Sequence, residues 1–139
     1  MSACFYCENG EKLKSLMIEF LETKYTRVFL NRDQKHIGRC VVELKNHKTE
    51  YFEMSPEERV DFFDTVSRVS KAIYNAFGAA KINYATFGDL VPHVHMHVVP
   101  KYKDGLQWGS PFDDSVAKVI LSDAEYSEII DRIKTELDK

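Results

Sequence analysis

Residues 93–99 read His-Val-His-Met-His-Val-Val, and Pro100 closes the run; three of the chain's five histidines thus stand at alternate positions. A β-strand turns successive side chains to opposite faces, so an extended segment presents all three imidazoles on one side. Val94, Met96 and Val98 then point the other way, into a core. Imidazole titrates near neutral pH and serves as acid, base, nucleophile or metal ligand. Three in register on a rigid element make a reagent surface; the competing reading is a polar stripe facing solvent.

Bulk properties set the frame. A chain of 139 residues, 44% hydrophobic, is expected to form a single domain over 1–139 with one real core. Its net charge of −3, with lysines scattered rather than massed, argues against a nucleic-acid-binding surface. No apolar stretch approaches membrane-spanning length, and the N-terminus lacks a basic-then-apolar leader, so the expectation is a cytoplasmic protein with no membrane partner. Three cysteines, two of them as Cys4-x-x-Cys7, suit a reducing compartment and metal or redox chemistry better than a disulfide framework.

Leu13, Leu16, Met17, Phe20 and Leu21 fall at helical spacing and predict a short amphipathic helix over 11–23. Residues 27–30 and 39–44 read as strands, with Cys40 as a small core residue. Ser55, Pro56 and Glu58 are an N-cap, a first helical residue and a capping-box partner. The helix they open carries Phe62, Phe63, Val66, Val69, Ile73 and Phe77 on one stripe and stops at Gly78. Residues 81–87 alternate as a half-buried strand. Ser122 and Glu125 open a last helix with Tyr126, Ile129, Ile130, Ile133 and Leu137 on its apolar face. Consecutive strands without intervening helices favour antiparallel pairing and an α+β class.

The histidine run resembles the HφHφHφφ signature (φ hydrophobic) of the histidine triad, or HIT, superfamily of nucleotide hydrolases and transferases, and the likeness extends from Cys4 to about Trp108. The resemblance implies an antiparallel sheet of about five strands with a long central helix and a C-terminal helix, paired as a homodimer. It implies that His95 attacks the α-phosphorus of a nucleotide and forms a nucleotidyl-imidazole, which water or another acceptor then releases. His97 would donate a hydrogen bond to the α-phosphate or the bridging oxygen. Dinucleoside polyphosphates and nucleoside phosphoramidates are the implied substrates, with a purine base favoured. The alternative is a nucleotide-binding interaction protein whose hydrolysis is incidental.

The same resemblance bears on the remaining polar residues. Some HIT relatives bind zinc through a CxxC pair, a histidine after the second sheet strand and the first histidine of the triad. Cys4, Cys7, His47 and His93 match those positions, with His36 in reserve, and imply a structural zinc; a catalytic zinc is the alternative. The segment 31–39 resembles the ribose-holding stretch of the fragile-histidine-triad branch, placing Asn31 on the sugar hydroxyls with Asp33 as the neighbouring choice. Asn83 and Asp89 are further candidates for the nucleotide site. Arg39 stands where many relatives carry a fourth histidine; it cannot act as a base, but it can pair with phosphate. Trp108, between a catalytic strand and a Gly-Ser-Pro turn, could stack on a base, close a dimer interface or cover the core.

Overall fold

The computed structural model describes residues 4–139. Two short helices, α1 (Phe5–Glu8) and α2 (Glu11–Leu16), lead into β1 (Met17–Glu22), β2 (Thr26–Asn31) and β3 (Cys40–Leu44). A single 3-10 turn (Tyr51–Glu53) precedes the long helix α3 (Pro56–Phe77), and then follow β4 (Lys81–Ala85), β5 (His95–Lys101) and α4 (Asp123–Leu137). The five strands form one antiparallel sheet in the order β1-β2-β3-β5-β4. This is the expected α+β class and strand number.

The sheet has two unlike faces. Val28, Leu30, Cys40, Val42, Leu44, Val94 and Val98 lie on one face and pack with Phe62, Val66, Val69 and Ile73 of α3 and with Tyr126, Ile129 and Ile133 of α4. The opposite face carries the histidines and is covered by the N-terminal segment, where Cys4, Tyr6, Leu13 and Met17 pack on Phe29 and Val41.

Both long helices begin as the sequence predicts. Ser55 Oγ accepts from the Glu58 amide while Glu58 Oε1 accepts from the Ser55 amide, and Ser122 with Glu125 repeats the arrangement. Gly78 ends α3 at φ 66°, a left-handed conformation that costs an L side chain energy. Gly38 is more constrained: at φ 99° an added Cβ would lie 2.9 Å from Phe77, so the β2–β3 loop approaches α3 there too closely for a side chain.

The helix predicted over 11–23 is corrected. It is helical only over Glu11–Leu16, and Met17–Glu22 continue as β1. Met-Ile-Glu-Phe-Leu-Glu has no strong local preference, and pairing along the free edge of β2 decides the outcome. A bulge between Glu19 and Leu21 lets Ile18, Phe20 and Leu21 all reach the main core. Other boundaries move by a residue or two; 81–87 is strand only to Ala85.

Glu58 is buried, with 2% of its surface exposed, and receives Lys48 Nζ and Asn46 Nδ2 at 2.7 Å each besides the Ser55 amide. Burial works against its ionisation, but these donors outweigh it and bring the pKa down to about 2. Replacing Glu58 with Ala should cost roughly 1–3 kcal/mol at pH 7. The folded pKa lies below the unfolded one, so this contribution is complete above about pH 4.5 and is lost as pH falls towards 2. Urea titrations should therefore show the gap between wild type and variant shrinking below pH 4.5, and a gap that is constant down to pH 2.5 would contradict this.

Candidate active site and metal cluster

β5 pairs with β3 such that Val41 lies opposite His97 and Glu43 opposite His95. His93 precedes the strand proper, but Val94 donates to Lys48 O at 2.8 Å and accepts from the Leu44 amide at 3.1 Å, extending the pairing. The three imidazoles therefore share a face, and Val94, Met96 and Val98 share the core face, as the spacing predicts. One expectation changes: this face is not an open surface. Tyr6 of α1 lies over it, its ring 5.3 Å from that of His93 and 5.2 Å from that of His95, and both histidines are buried.

Hydrogen bonds assign the tautomers. His95 Nδ1 stands 2.6 Å from the His93 carbonyl oxygen, which can only accept, so Nδ1 carries the proton and Nε2 keeps its lone pair. His97 is arranged the opposite way. An Arg39 guanidinium nitrogen donates to His97 Nδ1 at 3.1 Å, which leaves the proton on Nε2. Burial and then the Arg39 charge hold the His97 pKa down at about 3, so this ring is neutral at physiological pH. The His95 and His97 ring centroids lie 5.2 Å apart, closer than the strand repeat because the rings tilt edge to face.

Cys4 Sγ, Cys7 Sγ, His47 Nδ1 and His93 Nδ1 converge, all within 4.8 Å of one another. Four of the six separations are 3.1 Å (Cys7–His47 and His47–His93), 3.4 Å (Cys4–His93) and 3.5 Å (Cys7–His93). A tetrahedral zinc with two thiolates and two imidazoles needs ligand atoms about 3.3–3.8 Å apart, given bonds of about 2.0–2.3 Å. The donor set fits that ion, and the four separations fall within about 0.2 Å of that spacing. Cys4 caps α1, its sulfur accepting from the Cys7 amide at 3.4 Å, and His93 Nε2 donates to Leu44 O at 2.6 Å, which aims Nδ1 at the cluster. His36, the reserve ligand, lies elsewhere; it is buried beside Phe112, and both ring nitrogens lack a protein partner.

Asn31 and Asp33 line a cleft of about 230 Å³ with Arg32, Arg39, Asp114 and Lys118. Asn31 Nδ2 donates to Asp33 O, while the Asp33 carboxylate is committed, accepting from the amides of Lys35 and Val119 and pairing with Lys35 Nζ at 3.1 Å. Asn83 lies on β4 in a second cleft of about 700 Å³, with Tyr84, Phe87, Trp108 and Phe112. Asp89 is exposed and lines neither cleft.

Several residues that organise the site drew no attention in the sequence. Gln34 is fully buried and clamps the β2–β3 loop through Asn31 O, Arg39 O and the Gly38 amide. Lys101, also buried, donates to Gln107 O and Ser110 O and so anchors the Trp108 loop. Glu43 sits at 0% exposure with Arg27 Nε at 2.8 Å and His93 Nε2 at 2.8 Å. Strand parity could have signalled two of them: 39, 41 and 43 share the histidine face of β3, as 97, 99 and 101 do on β5.

A strand that presents imidazoles of fixed tautomer beside a buried guanidinium has the groups that nucleophilic chemistry on an anionic substrate requires. The HIT domain family model matches residues 15–104, and the chain belongs to that family. It is 30% identical to the adenosine 5'-monophosphoramidase of Schizosaccharomyces pombe over 98 residues, covering 67% of this chain and 74% of that protein. It is 29% identical over 89 residues to the asymmetrical bis(5'-nucleosyl)-tetraphosphatase of the same yeast, covering 60% of this chain and only 49% of the relative's length. Among solved structures, a histidine triad protein of Sinorhizobium meliloti superimposes with TM-score 0.84 at 20% identity, over 91% of this chain and 94% of that one. A zinc-bound histidine triad family protein of Mycobacterium smegmatis does so with TM-score 0.68 at 20% identity, over 99% and 94%.

Proposed function

We propose that the protein is a nucleotide hydrolase that cleaves at the α-phosphate of a dinucleoside polyphosphate or a nucleoside phosphoramidate through a nucleotidyl intermediate on His95. The observation that carries this reading is the bond from His95 Nδ1 to the His93 carbonyl, which leaves Nε2 as a free lone pair on a fixed ring. The relatives named as a tetraphosphatase and a monophosphoramidase support it.

In this mechanism His95 Nε2 forms a bond to the α-phosphorus and the bond to the leaving group breaks. Water then attacks the same phosphorus, and the Nε2–P electron pair returns to His95 as the mononucleotide departs. His97 Nε2–H donates to the α-phosphoryl oxygens, where charge develops. Asn31, at the rim of the smaller cleft, takes the ribose hydroxyls, with Asp33 confined to holding the loop and Asn83 and Asp89 outside this contact set. The adenosine-named relative supports a purine base.

We assign Cys4, Cys7, His47 and His93 to a structural zinc. When bound, the metal would cross-link α1, the segment after β3 and the start of the histidine strand, with no coordination position left for water. The three unpaired cysteines fit a reducing compartment such as the cytoplasm. No helix among the described residues is long and apolar enough to cross a membrane. A homodimer through the open edge of β4 completes the reading, because Tyr84, Phe87 and Leu90 are exposed beside that edge.

Substituting His95 with Ala should abolish turnover by at least about 10³-fold while nucleotide binding persists, and wild type quenched during turnover should carry a nucleotidyl adduct on His95. An alanine variant that retains near-normal hydrolysis would refute the nucleophile. Purified protein should contain one zinc per chain, and Cys7→Ser or a strong chelator should lower Tm by about 5–10 °C; metal analysis finding no zinc would remove the assignment. Light scattering should give twice the 16.1 kDa chain mass, and a monomer at micromolar concentration would exclude the dimer.

A further inference from the structure

We propose that Arg39, backed by Lys35, forms a leaving-group subsite that reserves this active site for substrates whose departing group leaves as an anion, a nucleoside polyphosphate, and makes it a poor catalyst of phosphoramidate cleavage. The proposal rests on the hydrolase reading and narrows its substrate class.

Arg39 is 4% exposed, yet its charge is underused. One terminal nitrogen donates to His97 Nδ1 at 3.1 Å, the Phe112 ring lies 5.0 Å from the guanidinium carbon, and Nε is buried without a partner. The guanidinium's carboxylate partner is Asp114, at 3.4 Å. That same Asp114 oxygen lies 3.3 Å from Lys35 Nζ, so one oxygen bridges two cations whose side chains are 5% and 2% exposed. Asp114 itself is 73% exposed, on the loop between β5 and α4. A solvent-exposed carboxylate resting on two buried cations stands where a phosphoryl oxygen would rest. Lys118 lines the same cleft. A polyphosphate chain extending from an α-phosphorus at His95 past His97 meets Arg39 next and displaces Asp114.

The chemistry of departure then separates the two substrate classes. When the Pα–O bond breaks, its electron pair goes to a β-phosphoryl oxygen, and a nucleoside polyphosphate leaves as a stable anion that needs no proton. When a Pα–N bond breaks, the electron pair goes to nitrogen, which must gain a proton because an amide anion is too basic to leave. His97 is the nearest group able to supply one. Arg39 occupies its Nδ1, and a permanent cation at 3.1 Å opposes a second positive charge on that ring. The same guanidinium therefore stabilises an anionic leaving group and withholds the proton that an amine requires.

The experiment compares diadenosine tetraphosphate with adenosine 5'-phosphoramidate, which transfer the same adenylyl group, and measures inorganic tripolyphosphate binding by calorimetry. Wild type should prefer the tetraphosphate. Arg39→Ala should lower kcat/KM for the tetraphosphate by about 10²-fold and raise that for the phosphoramidate several-fold, while weakening tripolyphosphate at least tenfold. Asp114→Asn, on an exposed loop, tests the subsite without disturbing a buried residue and should tighten tripolyphosphate several-fold. Equal losses on both substrates in Arg39→Ala, a wild-type preference for the phosphoramidate, or no tripolyphosphate binding would each overturn the subsite. Tripolyphosphate binding that depends on Arg39 in a protein that cleaves neither substrate would uphold the subsite and refute the hydrolase reading instead.

Discussion

The pairing of β3 with β5 is the constraint on which the rest of the molecule depends. It fixes the parity of both strands at once, with Cys40 opposite Val98, Val41 opposite His97 and Glu43 opposite His95. A slip of one residue would turn Val94 and Val98 out of the core and drive imidazoles into it. Each of these valines is at most 3% exposed, and burying such a side chain is worth about 1.5–3 kcal/mol, so the wrong register is heavily penalised. The apolar half of the histidine motif holds the reactive half in position. The hydrophobic residues of HφHφHφφ are thus as much a part of the site as the rings.

The histidine face poses an electrostatic problem, and Arg27 resolves much of it. Glu43 lies at 0% exposure, where a carboxylate is costly to bury unpaired, and Arg27 Nε donates to it at 2.8 Å. The other guanidinium nitrogens of Arg27 donate to Asn9 Oδ1 at 2.9 Å and Tyr6 O at 3.2 Å. The residue that neutralises the sheet carboxylate thus also holds α1 down, and with it the Tyr6 ring over His93 and His95. Since α1 is a four-residue helix, it has little stability of its own, and its position is set by these tertiary bonds and by the sulfur–imidazole cluster.

What the sequence disclosed and what it hid follow from locality. The histidine strand, both capping boxes, the Gly78 stop and the Cys4-x-x-Cys7 pair were legible because each depends on spacing within a few residues. The β1 strand was not legible: Met17, Phe20 and Leu21 suit a helical stripe as well as a bulged edge strand, and only β2 distinguishes the two. Gln34, Glu43 and Lys101 were also missed, since polar residues read as exposed until their partners, distant in sequence, are known. His47 could be grouped with Cys4, Cys7 and His93, which it meets in the structure, because the family resemblance supplied a long-range relation that composition lacks.

Arg39 shows why net charge is a poor guide to what a small site binds. The chain is acidic overall at −3, yet the Lys35 and Arg39 side chains are no more than 5% exposed, and Arg39 both lines the smaller cleft and touches His97. Charges on the outer surface are screened over about 8–10 Å by salt. Charges held in a low-dielectric wall act over a few ångströms with little screening, and they govern the field at the cleft mouth. Asp33 and Asp114 offset these cations, but unequally. Asp33 is tied into the fold by two backbone amides, whereas Asp114 is mostly solvated and meets the Lys35 and Arg39 side chains. Once that loop carboxylate moves aside, the wall presents net positive charge at the one place where a phosphate chain would run.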